Sequence, residues 1–262
     1  MKTATKFLLP VAIWLSAVSG QAFEARDDGW QSVYAPEDVD SWIGLNGGTN
    51  FTKWTTWASS EGARVSDSFQ DGSKAGAENE GDFTLRAEAG EVVVGRDFAK
   101  GENTVFLQSG SFSVLSWADP DTDGDFLGFA VYDAGHGTEL LRWGVTSDGV
   151  WYQSGGESRQ LDPYKTESYE YTLTWEWLAE GVDGLRFTLY GKEPIGGIAS
   201  GWSGTQITVQ GAKAVGGVAV IARNGGVAFD QVAVQGTEVP EPGTLGLLAV
   251  GLGGLAWRRK RG

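Results

Sequence analysis

The most pointed chemical group in this 262-residue chain is the run Asp119-Pro120-Asp121-Thr122-Asp123-Gly124-Asp125. Carboxylates at Asp119, Asp121, Asp123 and Asp125 alternate along a stretch bent by a proline and a glycine. A calcium ion takes about six to eight oxygen ligands of this kind. Ala130 stands where an EF-hand carries its bidentate glutamate, so the run is not an EF-hand. Two readings stand: a calcium loop of another type, or an acidic, solvated hairpin tip. The second group is aromatic. The chain has 12 tryptophans, and an exposed indole offers a flat apolar face to the C–H face of a pyranose. Trp54, Trp57, Trp151 with Tyr152, and Trp202 lie near loops or glycine-rich segments and are the candidate glycan platform. Trp143, Trp175 and Trp177 fall on alternating apolar strands and are expected in the core.

Other chemistries lack raw material. There is no cysteine and one histidine, His136, in the glycine-flanked turn Ala134-Gly135-His136-Gly137. Thiol catalysis, iron–sulfur clusters, Ser-His-Asp triads and multi-histidine metal sites are thereby set aside. Glu170 and Glu176 share one strand face but lie roughly 20 Å apart at 3.3 Å per residue, too far for a glycosidase pair. No catalytic residue is assigned, and the chain is expected not to be an enzyme.

The elements that carry these residues alternate with period two. In Tyr169-Glu170-Tyr171-Thr172-Leu173-Thr174-Trp175-Glu176-Trp177 the aromatic and apolar residues share one face and the polar ones the other. A short turn and 185–190 complete a hairpin. Further strands are expected at 83–87, 92–98, 104–107, 112–117, 126–132, 140–145, 150–153, 206–209, 215–222 and 227–234. A first strand falls near 51–57, with a long surface loop after it. Turn clusters such as Ser147-Asp148-Gly149 and Arg223-Asn224-Gly225-Gly226 separate them. Roughly a dozen strands without intervening helices predict an all-β fold of two packed antiparallel sheets. The stretch Gly216-Gly217-Val218-Ala219-Val220-Ile221-Ala222-Arg223-Asn224-Gly225-Gly226-Val227-Ala228-Phe229-Asp230-Gln231-Val232-Ala233-Val234 resembles the closing strands of concanavalin-like and laminin-G-like jelly rolls. That resemblance implies a jelly-roll sandwich and carries no binding residue with it.

The two ends read as addresses. Lys2 and Lys6 precede an apolar stretch over 7–18 and the exit Ser19-Gly20-Gln21-Ala22, the form of a signal peptide, with cleavage expected after Ala22 and Ala25 as the second choice. At the far end Val239-Pro240-Glu241-Pro242-Gly243 leads into an apolar stretch and the cluster Arg258-Arg259-Lys260-Arg261. Prolines about Glu241 hold that segment extended, and the basic cluster stays cytoplasmic by the positive-inside rule. The apolar stretch 243–257 reaches roughly 22 Å as helix, short of a hydrocarbon core of about 30 Å. This three-part order resembles the PEP-CTERM sorting signal of Gram-negative bacteria. The resemblance implies an exosortase as processing partner near Pro240, Glu241 and Pro242, transient anchoring by a short transmembrane helix, and delivery to the cell surface or extracellular matrix.

Three segments follow: 1–22 as signal peptide, 23–238 as the β-sandwich, 239–262 as the sorting and anchor segment. The chain has a formal charge of −14. In residues 23–239 alone, 14 basic groups face 33 acidic ones, a net of −19. Such a body is repelled by nucleic acid and by anionic membrane. The expected function is a non-catalytic glycan- or matrix-binding module, associated with exopolysaccharide. Structural adhesion without a small ligand is the alternative, and a polysaccharide-active enzyme the third reading. Calcium is the one cofactor the sequence suggests.

Overall fold

The computed structural model describes residues 21–27, 41–71, 81–118, 125–163, 168–178, 183–192 and 202–239. Ala22–Val239 forms one compact unit. Its strands are β1 (Ala22–Asp27), β2 (Thr55–Ser59), β3 (Val65–Asp71), β4 (Gly81–Asp97), β5 (Ala99–Lys100), β6 (Asn103–Thr104), β7 (Leu107–Ala118), β8 (Phe126–Tyr132), β9 (Glu139–Thr146), β10 (Gly149–Ser154), β11 (Glu157–Asp162), β12 (Ser168–Leu178), β13 (Gly184–Lys192), β14 (Trp202–Gln210) and β15 (Gly217–Glu238). A 3-10 turn, Ala134–His136, joins β8 to β9. Among the described residues no helix is long and apolar enough to cross a membrane. The expected signal helix and C-terminal transmembrane helix lie outside the described residues.

The fold is all-β. Thirteen strands form one sheet in the order β11-β10-β9-β8-β15-β7-β12-β13-β14, with β1 and β4 also on β15 and β2 and β3 on β4. β5 and β6 form a separate ribbon. The sheet folds back on itself. β8 and β12 are three steps apart in its order, about 14 Å if the sheet were flat. Yet the Phe129 and Tyr171 rings are 6.0 Å apart. Phe112 of β7 and Trp143 of β9, also three steps apart, meet at 5.6 Å. Two layers therefore face each other across a common apolar core.

The strands that turn the corner are the ones the sequence divides in two. The expected pair 83–87 and 92–98 is one strand, β4, and 215–222 with 227–234 is one strand, β15. The first part of β15 pairs with β8 and with β4 over 91–97; its later part pairs with β7, with β4 over 83–87, and with β1. Register shifts between Arg223 and Gly225. At that level Asn224 (φ 51) and Gly90 (φ 75) both take left-handed backbone, and the Gly90 N–H donates to Asn224 Oδ1 at 2.8 Å. The turn-like Asn-Gly-Gly sequence is thus part of a corner inside a continuous strand: Asn224 stands opposite three residues of β4, 88–90, and extra residues on one strand bend a sheet without ending its ladder.

Four strands lie outside the expected ones, the shortest being the two-residue β5. β3 occupies part of the expected long loop, and β11 carries a mostly exposed polar face. β1 is the most consequential: Phe23, Ala25 and Asp27 point inward and are buried, while Ala22, Glu24 and Arg26 point out. Within the fold Phe229, from the Phe-Asp stretch, stacks on Phe83 at 5.0 Å and meets Trp42, Trp54 and Phe129 edge-on.

A Gly90→Ala substitution should destabilise the protein by about 1–2 kcal/mol, because an L side chain resists left-handed backbone. The added Cβ would also sit 2.9 Å from Ser60 Cβ. Urea unfolding followed by tryptophan fluorescence measures this; an unchanged midpoint would contradict the corner's role.

Candidate functional site

One end of the body gathers Asp133 and Thr138 of the turn after β8, Glu139 and Leu140, the segment 209–214, Phe106, Gly155 and Val239 around a cleft of about 710 Å³. That size falls in the range of small-molecule sites, roughly 300–1,000 Å³. Phe106, Leu140, Val209 and Ala212 give it apolar walls, and Asp133, Glu139, Gln210 and Lys213 bring polar groups. The turn holds its shape by its own hydrogen bonds. The Thr138 N–H donates to Asp133 Oδ1 at 2.7 Å, the Asp133 N–H to the Thr138 carbonyl at 3.0 Å. Gly135 and His136 supply the positive φ the turn requires.

Glu139 shows what this end can do chemically. Its carboxylate accepts from Tyr132 Oη at 2.9 Å and from Arg142 Nε and Nη2, each at 2.7 Å. Arg142 reaches on to Glu91 at 3.0 Å and lies 5.5 Å above the Phe126 ring. Burial, then the Glu139 carboxylate, pushes the Tyr132 phenol far above its usual range. Burial alone would lower Arg142, but Glu139 and Glu91 outweigh it and hold the guanidinium firmly charged. A glutamate engaged by three donors is a fixed hydrogen-bond acceptor. Asp133, Gln210 and the exposed Lys213 remain for hydrogen bonding to a ligand.

The predicted platform residues divide. Trp54 is 0% exposed: it packs against Trp42 at 5.3 Å and its indole N–H donates to Asp27 at 3.3 Å. It is core, and its place in the platform is corrected. Tyr152 is corrected in the same way; it pairs with Trp143 and is buried in the core. Alternation decides this, because Tyr152 faces in and its neighbour Trp151 faces out, half-buried, opposite Gly144 and Gln160. Trp57 is half-buried. Its ring lies so close to Gly95 that a Cβ there would sit 2.5 Å away, and His136 stacks on it at 4.6 Å. His136 Nδ1 is also 3.6 Å from Asp97 Oδ1, so the histidine is half-exposed and partnered. The Trp202 side chain lies outside the described residues.

Trp143 and Trp175 are buried as expected. Trp177 is not: it is 43% exposed. It pairs with Leu185, which pairs with Val209 of the cleft wall. Two strand spacings, about 10 Å, separate it from that wall on the same side of the sheet. Alternation puts Trp177 on the inward face; its position at the strand's end brings it to the rim instead.

Of the calcium run, Asp119, Asp121 and Asp123 lie outside the described residues. Asp125 heads β8 with 1% exposure. Among the described residues no group of three or more carboxylate, histidine or cysteine side chains is arranged to hold a metal. Glu170 and Glu176 stand in cross-strand ion pairs with Lys192 and Arg186. Pro240, Glu241, Pro242 and the basic cluster Arg258, Arg259, Lys260 and Arg261 lie outside the described residues.

Comparison with known proteins places a PEP-CTERM protein-sorting motif at residues 238–261. No curated protein matches the chain. Among solved structures the body is similar to the VIP36 exoplasmic/lumenal domain in its Ca2+/Man3GlcNAc-bound form, with 8% identity over 66% of this chain and 82% of that one, at a TM-score of 0.40. It is also similar to the carbohydrate recognition domain of Emp46p in potassium-bound form, with 11% identity over 66% and 87% and a TM-score of 0.37. The alginate lyase AlgAT5 of polysaccharide lyase family 7 is similar at 8% identity over 65% and 74%, with a TM-score of 0.33. The all-β architecture described above rests on the strand pairing itself.

Tyr132 should ionise well above the usual range of a phenol. Its raised value stabilises the fold fully below the free phenol's pKa of about 10, and that contribution is lost as pH climbs through the raised value. Tyrosinate absorbance against pH should lose one phenol's amplitude from its late phase in Tyr132→Phe; an unchanged late phase would contradict the assignment.

Proposed function

We propose that this protein is an exported glycan-binding module that uses the end cleft, with Trp177 at its rim, to hold a neutral sugar. The observation that carries the reading is the pairing of an apolar-walled cleft with an exposed indole on the same row of the sheet. Sugars are bound by such combinations of aromatic faces and a few fixed polar groups. The net acidity of the body favours neutral glycans over anionic ones. The two layers are read as a jelly-roll sandwich spanning 23–238.

The sorting motif supports export and delivery to the cell surface or exopolysaccharide layer of a Gram-negative bacterium, with an exosortase acting near Pro240–Pro242 after transient anchoring through 243–257. β1 supports signal cleavage after Ala22. A cut after Ala25 would strip Phe23 and Ala25, both buried, from the core. Intact mass of the secreted protein should give an N-terminus at Phe23 and a C-terminus short of Gly262. An N-terminus at Arg26 or a retained Gly262 would contradict the respective step.

The proposal includes calcium at Asp119, Asp121, Asp123 and Asp125, supported by the alternation of four carboxylates along a proline- and glycine-bent stretch. Glycan binding, measured by calorimetry over a panel of neutral oligosaccharides, should weaken at least about tenfold in Trp177→Ala, as buried aromatic anchors dominate such sites. EDTA should weaken it if calcium orders the run. Equal affinity in Trp177→Ala would contradict the cleft assignment, and indifference to EDTA the calcium assignment.

A further inference from the structure

The layer formed by β1, the later part of β15, β7, β12, β13 and β14 buries one face and shows the other to solvent. Residues opposite one another in register form ladders across that outer face. Gln235, Ser111, Thr174, Thr188 and Gln206 stand in one row across five strands. At 4.8 Å per strand that row is about 19 Å long. Ser113, Thr172 and Tyr190 form the next row. Each of these side chains is half-buried or exposed, while their neighbours Phe112, Val114, Tyr171, Leu173, Phe187 and Leu189 are buried.

Two features separate this face from an ordinary solvated one. The first is charge. In a body with a net charge of −19, the outer face of β12 and β13 has its acids matched by bases: Glu176 with Arg186, and Glu170 with Lys192 at 3.6 Å. Between these pairs the surface is uncharged hydroxyl and amide. The second is shape. Tyr190 is 43% exposed. Its ring lies where a side chain at residue 204 would go: a Cβ on Gly204 (φ +52) would sit 3.2 Å from Tyr190 Cε1. Beside the ladder a shallow depression of about 720 Å³ includes Ser109, Ser111, Gln235 and Thr237 in its lining, with Glu24 of β1 as its one charged residue.

From this geometry we infer a second glycan surface: the outer face of β15-β7-β12-β13-β14 binds an extended neutral polysaccharide, with Tyr190 stacking on a sugar ring and the Ser/Thr/Gln ladder hydrogen-bonding its hydroxyls. Donors and acceptors recur at the strand spacing, comparable to the length of one pyranose, so successive sugars meet equivalent groups. An anionic polymer would gain nothing from a neutral face on an acidic body. The inference rests on the glycan-binding reading and extends it from a short oligosaccharide in the cleft to a polymer on the sheet.

The test uses the full chain in mild detergent, with retention on insoluble cellulose, β-1,3-glucan and mannan, and in parallel the affinity for oligosaccharides of the retained polymer. Thr174→Val with Thr188→Val removes two hydroxyls and keeps the strand shape; Tyr190→Ala removes the platform. Each variant should bind polymer about tenfold more weakly, as expected for two lost hydrogen bonds or one stacking contact, with unchanged oligosaccharide affinity and unchanged near-UV circular dichroism. If both variants hold polymer like the wild type while Trp177→Ala does not, the sheet surface is overturned and the cleft stands. If the wild type retains none of the three polymers and binds none of their oligosaccharides, both readings fall.

Discussion

The body is organised around one buried charge. Arg96 of β4 is 0% exposed and points into the core. A guanidinium there must have every donor met, because an unpaired buried charge costs several kcal/mol. Its partners come from separate stretches of chain. It donates to Asp27 of β1, to Asn46, and to the Thr52 carbonyl at 2.7 and 3.0 Å. Phe51 and Trp54 lie against it at 4.2 and 4.7 Å. Satisfying this one group fixes the N-terminal strand, the irregular segment before β2 and the end of β4 together. It also explains why Trp54 is unavailable to a ligand: its indole N–H and its ring face both serve the Arg96–Asp27 pair.

With that anchor in place, the corner at Gly90 and Asn224 lets β4 and β15 belong to both layers. The consequence is functional as much as architectural. Folding one sheet on itself leaves an open end, where the turn between β8 and β9, the segment after β14 and the end of β15 enclose the cleft. It also leaves outer faces whose composition is free of core demands. On the outer face of the other layer, Val93, Phe126, Ala130, Tyr132, Ala219 and Ile221 form a second apolar cluster capped by Trp57. Arg142, tied to Glu91 and Glu139, closes the same surface. That face is built for stability. The hydroxyl-lined face is not, and Trp177 at the open end is not.

Much of the fold is legible in the sequence because alternation is a local signal. β8 is read with its true bounds, and the β12–β13 hairpin follows from Tyr171, Leu173 and Trp175 alternating with Thr172 and Thr174. The division of β4 and β15 into separate strands has a physical cause: glycine and asparagine mark turns and bulges alike, and only pairing tells them apart. β1 was readable from its own alternation of Phe23, Ala25 and Asp27, which the adjacent export signal masked. The site was less legible. Whether a tryptophan is core or platform depends on strand ends and on what covers it, so Trp54 and Tyr152 read as exposed and Trp177 as buried, each the reverse of what the structure shows. The cleft joins residues from Phe106 to Val239 and has no linear signature.

Hydrogen–deuterium exchange of the secreted protein, with and without a neutral oligosaccharide that it binds, tests the central claim most directly. The account predicts slowed exchange at 133–140 and 209–214, around the cleft, with the core strands unchanged. Protection confined to other loops, with those two segments unaffected, would contradict it.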